Sequence, residues 1–150
     1  MKVFILPPNS LILSDLVERA GHEPLVLMKK IGERVRDPEI DSPPLNITDK
    51  EPKEGLRYAA IEVPAGVRGR LGIIGPLIDE AEAAILLHDA PFSAGCVGCA
   101  RTEDLLKYLV RSKFIPTKEV IYPRDEEAAK RMVKDIMDFL ESLNGSNGAD

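Results

Sequence analysis

The sequence predicts a three-layer α/β sandwich with a mostly parallel, five-stranded sheet. Short apolar segments of strand length alternate along the chain with segments whose apolar residues recur at helical spacing. At 150 residues the chain can build one domain with a sizeable core, which we expect to span residues 1–144. Right-handed crossovers make 2-1-3-4-5, the flavodoxin-like order, the simplest arrangement of the five strands.

The first elements are a strand, a helix and a second strand. Residues 3–6 are wholly apolar and form the first predicted strand. Ser10 is suited to cap the next helix, and Gly21 to end it in a left-handed conformation. Residues 25–28 form the second predicted strand. We interpret His22, in the turn before that strand, as a surface residue without a function.

Two segments are predicted to lack regular structure. Between residues 32 and 55, prolines and charges replace the apolar pattern and predict a long loop. Loops of this length are often functional or packed on another subunit, so this one indicates self-association or a protein partner. Residues 145–150 are expected to form a disordered tail.

The second half of the chain adds three predicted strands, at residues 58–63, 83–87 and 119–122. Pro76 is placed at the first position of a helix, because proline is favoured there. Thr102 is placed as the N-cap of the next helix and Asp125 as the N-cap of the last one. Apolar residues at helical spacing in both of these helices predict faces that pack on the sheet.

The composition argues against two classes of partner. The net charge of −5 argues against binding nucleic acid, which favours a basic surface. No apolar run approaches the ~20 residues that a membrane span needs, and the first residues lack a signal-peptide cleavage pattern. We therefore expect a cytoplasmic protein without a nucleic-acid or membrane partner.

Cys96 and Cys99 are the two cysteines of the chain and form a CxxC motif between a predicted strand and a predicted helix. In a reducing compartment such a pair is more often metal-binding or redox-active than structural. Glycines beside and within the motif place it in a loop, which suits chelation because the backbone must turn sharply. His88 and Asp89 are the candidate third and fourth ligands of a zinc ion or an iron–sulfur cluster, unless two chains pool four cysteines.

Two other functions of the cysteine pair stay open. A thiol redox protein or small enzyme would use the pair as a dithiol, although the negative charges of Glu103 and Asp104 oppose a thiolate there. Alternatively, the motif only shapes a surface that binds a partner protein. The sequence shows no nucleophile and base at a recognisable spacing, which favours an accessory or binding protein over a stand-alone enzyme.

A second candidate site is an anion-binding crevice at the carboxyl ends of the strands. Glycines recur every third residue from Gly66 to Gly75, which we interpret as a glycine-rich loop after the third strand. Their spacing matches neither a dinucleotide-binding motif nor a P-loop. The candidate ligand-binding residues are Arg68, Arg70 and Arg101, with the polar residues Asn9, Ser10 and Thr102.

The segment from Asp89 to Thr102, DAPFSAGCVGCART, resembles the signature region of the methanogenesis marker protein 5 family of methanogenic archaea. Residues 75–78 and 83–85 are also similar to that family, so the resemblance lies in the second half of the chain. Its members are small cytosolic proteins, grouped with those thought to support methyl-coenzyme M reductase or its nickel cofactor. The resemblance implies an anaerobic setting rich in iron–sulfur chemistry, and no particular reaction.

Overall fold

The computed structural model describes residues 1–35, 50–91 and 97–145, in which four parallel strands form one sheet in the order β2-β1-β3-β4. The strands are β1 (Lys2–Leu6), β2 (Glu23–Leu25), β3 (Ala83–His88) and β4 (Thr117–Ile121). The helices are α1 (Leu11–Arg19), α2 (Leu27–Val35), α3 (Lys50–Glu54), α4 (Ala65–Glu80), α5 (Val97–Ser112) and α6 (Glu126–Gly145). A 3₁₀ turn, Gly55–Arg57, follows α3.

Helices cover both faces of the sheet. On one face α1 and α6 pack against strand residues such as Val3 and Ile85, and on the other α4 and α5 pack against Phe4 and Ala84. Successive residues of a strand point to opposite faces, which explains why the central strands β1 and β3 each carry a continuous run of buried apolar residues. None of the described helices is long and apolar enough to cross a membrane. The predicted α/β fold with a parallel sheet is confirmed.

The strand predicted at residues 58–63 is wrong. These residues form turns after the 3₁₀ turn, and the side chain of Ile61 is 69% exposed. A strand in the middle of a parallel sheet would bury its side chains on both faces, so the apolar run alone was an insufficient signal. Since no strand intervenes, β1 pairs directly with β3, with Val3 opposite Ala83. The sheet therefore has four strands in the described part of the chain instead of five.

The segments predicted to be irregular are partly helical. Helix α2 begins at Leu27, inside the second predicted strand, and runs into the predicted loop 32–55. Helix α3 and the 3₁₀ turn form the other end of that loop, while residues 36–49 lie outside the described residues. In the predicted tail, Gly145 belongs to α6, and residues 146–150 also lie outside the described residues.

Local signals at helix ends were read correctly in three places. The Ser10 hydroxyl accepts a hydrogen bond from the Leu13 N–H at 3.2 Å, which caps α1. Gly21 has a φ of 81° after that helix, in the left-handed region where glycine is favoured. An Asp125 carboxylate oxygen accepts from the Ala128 N–H at 2.7 Å at the start of α6. These predictions are confirmed.

His22 is buried, so the prediction of a surface residue is wrong. Only 6% of the residue is exposed, and its Nε2 donates to the Leu140 carbonyl at 2.9 Å. A buried imidazole needs such a partner, because an unsatisfied polar group in the core is costly. The partner lies in α6, far along the chain, and His22 therefore links the turn before β2 to the last helix.

The predicted glycine-rich loop is in fact part of helix α4, and Pro76 lies inside this helix instead of opening it. Four buried apolar residues recur at helical spacing along it: Val67, Leu71, Ile74 and Ile78. Burying this stripe on the sheet outweighs the low helix propensity of the glycines, each about 1 kcal/mol worse than alanine. The interpretation as an anion-binding loop is therefore wrong.

The glycines of α4 allow close packing against the segment that precedes the helix. A Cβ atom on Gly72 would lie 2.5 Å from the Glu51 carbonyl oxygen, and one on Gly75 would lie 2.4 Å from the Tyr58 ring. Real Cβ atoms do not approach other atoms this closely, so only glycine fits without a shift of the backbone or ring. Gly72 and Gly75 therefore let α3 and the segment that follows it lie close against α4.

We expect Gly72→Ala to lower the free energy of unfolding by about 1–3 kcal/mol, because the new methyl group overpacks the contact with the Glu51 backbone. Gly66→Ala is the matched control, since a Cβ at Gly66 meets nothing within 4 Å in the same helix. It should leave stability unchanged or raise it by up to ~1 kcal/mol. Urea unfolding followed by circular dichroism measures both, and equal stability of the two variants would contradict this packing.

Candidate functional site

A crevice of about 220 Å³ opens at the carboxyl ends of β1 and β3. The chain winds from β1 through α1 to β2 in one direction, and from β3 through α5 to β4 in the other. Open α/β sheets bind ligands at such a switch in winding direction. The sequence placed the switch between the first strand and a strand at 58–63, whereas the structure places it between β1 and β3.

Two strands and two helices line the crevice. From β1 and the turn after it come Leu6, Pro7, Pro8 and Asn9, and from β3 comes Leu87. Helix α4 contributes Arg70 and Ile74, and α5 contributes Cys99, Thr102, Glu103 and Leu106. Each helix presents these residues on one face, because residues three and four positions apart are neighbours on a helix. Of the ten predicted site residues, Asn9, Arg70, Cys99 and Thr102 lie here.

Cys99 lies in the first turn of α5, which begins at Val97. The predicted N-cap at Thr102 is therefore wrong, and the Thr102 hydroxyl instead donates to the Gly98 carbonyl at 2.7 Å within the helix. Gly98 is the second residue of this helix, outside the interior positions where glycine costs about 1 kcal/mol relative to alanine. The expectation that the motif lies in a loop is wrong for Cys99, and Cys96 lies outside the described residues.

Arg70 provides the positive charge of the crevice. Its Nη1 donates to the Cys99 sulfur at 3.3 Å, and no carboxylate in the described ranges lies within ion-pair distance of it. Glu103, the acidic residue of the crevice, instead pairs with Lys107 one turn along α5. Arg70 therefore forms no ion pair with any acidic side chain among the described residues.

Three of the predicted ligand-binding residues lie elsewhere. Ser10 caps α1, and Arg68 donates from Nε and Nη1 to the carbonyls of Val63 and Pro52 at 2.9 and 2.7 Å. Arg68 thereby holds the chain before α4 in place. Arg101 lines a separate, mostly apolar groove on the opposite side of α5 from Cys99. The structure does not bring these three side chains together with Arg70.

His88 and Asp89 do not join Cys99 in a metal-binding group. The His88 Nε2 lies 2.8 Å from a Glu119 carboxylate oxygen, and Arg111 donates two hydrogen bonds to the same carboxylate at 2.9 and 2.8 Å. The hydrogen bonds from Arg111, with a smaller contribution from the hydrogen bond to His88, lower the pKa of Glu119 to about 2. Asp89 is exposed, with a φ of 56° after β3. Across residues 1–35, 50–91 and 97–145, no three His, Cys, Asp or Glu side chains could together hold a metal.

Sequence reasoning missed the apolar walls of the crevice. Ile74 and Leu106, and the two prolines after β1, were not among the predicted site residues. A signal for Ile74 existed: in a helix it lies one turn from Arg70 on the same face. The crevice therefore brings together a cation at Arg70, an exposed amide at Asn9 and apolar walls, beside the Cys99 thiol.

Comparisons with known proteins place the chain in an archaeal family. A profile of the family described as "Uncharacterized protein conserved in archaea (DUF2112)" matches residues 1–143. A protein of Methanocaldococcus jannaschii, named "Uncharacterized protein MJ0404", is 64% identical over 142 residues, which is 95% of each chain. No solved structure is significantly similar to the chain. Neither match confirms the resemblance to methanogenesis marker protein 5, but both span nearly the whole sequence, and the chain therefore belongs to the archaeal family DUF2112.

Proposed function

We propose that this protein binds a small anionic ligand in the crevice between β1 and β3. The observation that supports this function is the position of Arg70, whose guanidinium group lines the crevice with no described carboxylate at ion-pair distance. A guanidinium group forms a planar fork of N–H donors that matches a carboxylate or phosphate. The bond to Cys99 uses one of its five N–H groups, so donors remain for a ligand.

Two further features of the crevice favour an anion. Asn9 is exposed at the crevice, where its side-chain amide offers two N–H donors. Helix α5 begins beside it, and the first turn of a helix of this length presents N–H groups and a partial positive charge. Thr102 serves as a wall, because its hydroxyl hydrogen is donated to Gly98. Asn9, Arg70 and Cys99 come from three separate parts of the chain, and all three line the crevice.

A thiol redox function is the second candidate, and one observation favours it. A reactive cysteine of the thioredoxin type sits in the first turn of a helix, and Cys99 occupies that position in α5. The sequence had placed both thiols before the helix, which counted against this function. In this version Cys96 and Cys99 act as a dithiol beside the bound anion.

The cellular role that we propose is accessory to methanogenesis in an archaeal cytoplasm. The resemblance of residues 89–102 to the methanogenesis marker protein 5 family supports it, as does the methanogenic source of the relative. A protein partner, or a second copy of the chain, belongs to the same proposal. It is motivated by the proline-rich segment between residues 32 and 55.

Anion binding can be followed by the alkylation of Cys99 with iodoacetamide in a Cys96→Ser background. We expect at least one anion among inorganic phosphate, pyrophosphate and butyrate to slow alkylation saturably, because the ligand would cover the half-buried thiol. Arg70→Gln should weaken that protection about tenfold or more, the effect of losing a charged hydrogen bond.

Arg101→Gln is the matched control, because it removes the same charge from the groove on the other side of α5. It should leave the protection unchanged. Equal effects of the two substitutions, or no protection by any of the three anions, would contradict the proposed site.

The redox candidate predicts a reversible Cys96–Cys99 disulfide when anaerobically purified protein is equilibrated in glutathione buffers of stepped potential and scored by mass spectrometry. A cysteine pair that never oxidises would exclude the redox function.

Metal analysis of the same sample tests the zinc or iron–sulfur hypothesis, for which the described residues supply no complete ligand set. We expect no stoichiometric metal, and a metal that disappears in Cys96→Ser would establish that hypothesis instead.

A further inference from the structure

The walls of the crevice indicate which class of anion it takes. In the described part of the chain, six apolar residues line it beside its polar side chains: Leu6, Pro7, Pro8, Ile74, Leu87 and Leu106. A phosphate group carries polar oxygens in all directions and would lose hydrogen bonds to water against such walls without regaining them. A ligand with an apolar body would instead remove these surfaces from water.

The charge of the crevice matches one negative charge. Among the described residues that line it, Arg70 is the single cationic one, while Glu103 forms an ion pair with Lys107. Phosphate-binding sites commonly use glycine-rich turns that aim several backbone N–H groups at the ligand. The glycines that resembled such a turn lie within α4, where Gly72 and Gly75 pack against Glu51 and Tyr58. One guanidinium fork, with no such turn among the described residues that line the crevice, suits a single carboxylate.

The size of the crevice sets the length of the ligand. Its volume of about 220 Å³ corresponds to roughly seven molecules of liquid water at ~30 Å³ each. Pockets for drug-sized ligands start near ~300 Å³, so a nucleotide would extend well outside this crevice. A carboxylate with a short aliphatic chain fits within it.

We propose that the ligand is a short-chain aliphatic monocarboxylate. Its carboxylate accepts hydrogen bonds from Arg70, and its chain lies against the apolar wall formed by Ile74 and Leu106. Cys99 borders the carboxylate end, because its sulfur accepts a hydrogen bond from the same guanidinium group. This inference rests on the proposed function and specifies the ligand of the same crevice.

Isothermal titration of the wild-type protein with acetate, butyrate and hexanoate tests the ligand class without relying on a variant that must fold. Affinity should rise about fourfold for each added methylene group until the crevice is full. Hexanol, which lacks the carboxylate, should bind at least tenfold more weakly than hexanoate. Arg70→Gln should remove the preference for hexanoate over hexanol, and Arg101→Gln should keep it.

Inorganic phosphate and pyrophosphate are titrated in parallel to separate this inference from the proposed function. If either binds more tightly than every carboxylate and loses affinity in Arg70→Gln, the carboxylate proposal is overturned and the anion site stands. Carboxylate affinity that does not change with chain length would also overturn the ligand class. If none of the anions binds, both proposals fail.

Discussion

The packing of α4 determines which side chains this helix presents to the crevice. Its buried stripe lies on β1 and β3, and its glycines let the preceding segment approach to backbone contact. This close fit fixes the rotation of the helix about its axis, since turning it would move Gly72 away from Glu51. With the rotation fixed, Arg70 and Ile74 face the switch point between the strands. A constraint of core packing thereby places both the charge and an apolar wall of the proposed site.

Much of the fold could be predicted because its signals are local. The strands β1 and β3 each contain an apolar run of at least four residues, and the caps at Ser10 and Asp125 require only residues within one turn. The part of α4 before Pro76 was missed because glycines and Pro76 are strong turn signals, and they outweighed the apolar periodicity from Val67 to Ile78. The strand at 58–63 was predicted wrongly because an apolar run alone does not show whether the segment pairs with the strands of the sheet.

The candidate site was predictable only in part. Residues of the same type at neighbouring positions in the sequence have different partners in the structure. Arg68 and Arg70 are two positions apart, yet Arg68 donates to backbone carbonyls while Arg70 reaches the crevice. His88 is held by Glu119, a strand away, and no spacing in the sequence shows this. Cys99 and Arg70 meet because two helices flank the switch point. The sequence analysis began the first of these helices only at Pro76, after Arg70, and the second only after Cys99.

The central claim is that Arg70 presents its charge to an anion at the carboxyl ends of β1 and β3. An NMR titration of ¹⁵N-labelled protein, with butyrate and inorganic phosphate added separately, tests it most directly. We expect saturable amide shifts from one of the two anions, concentrated at Asn9, at Arg70 and in the first turn of α5. Saturable shifts confined to the groove around Arg101 and Tyr108, or none with either anion, would contradict the claim.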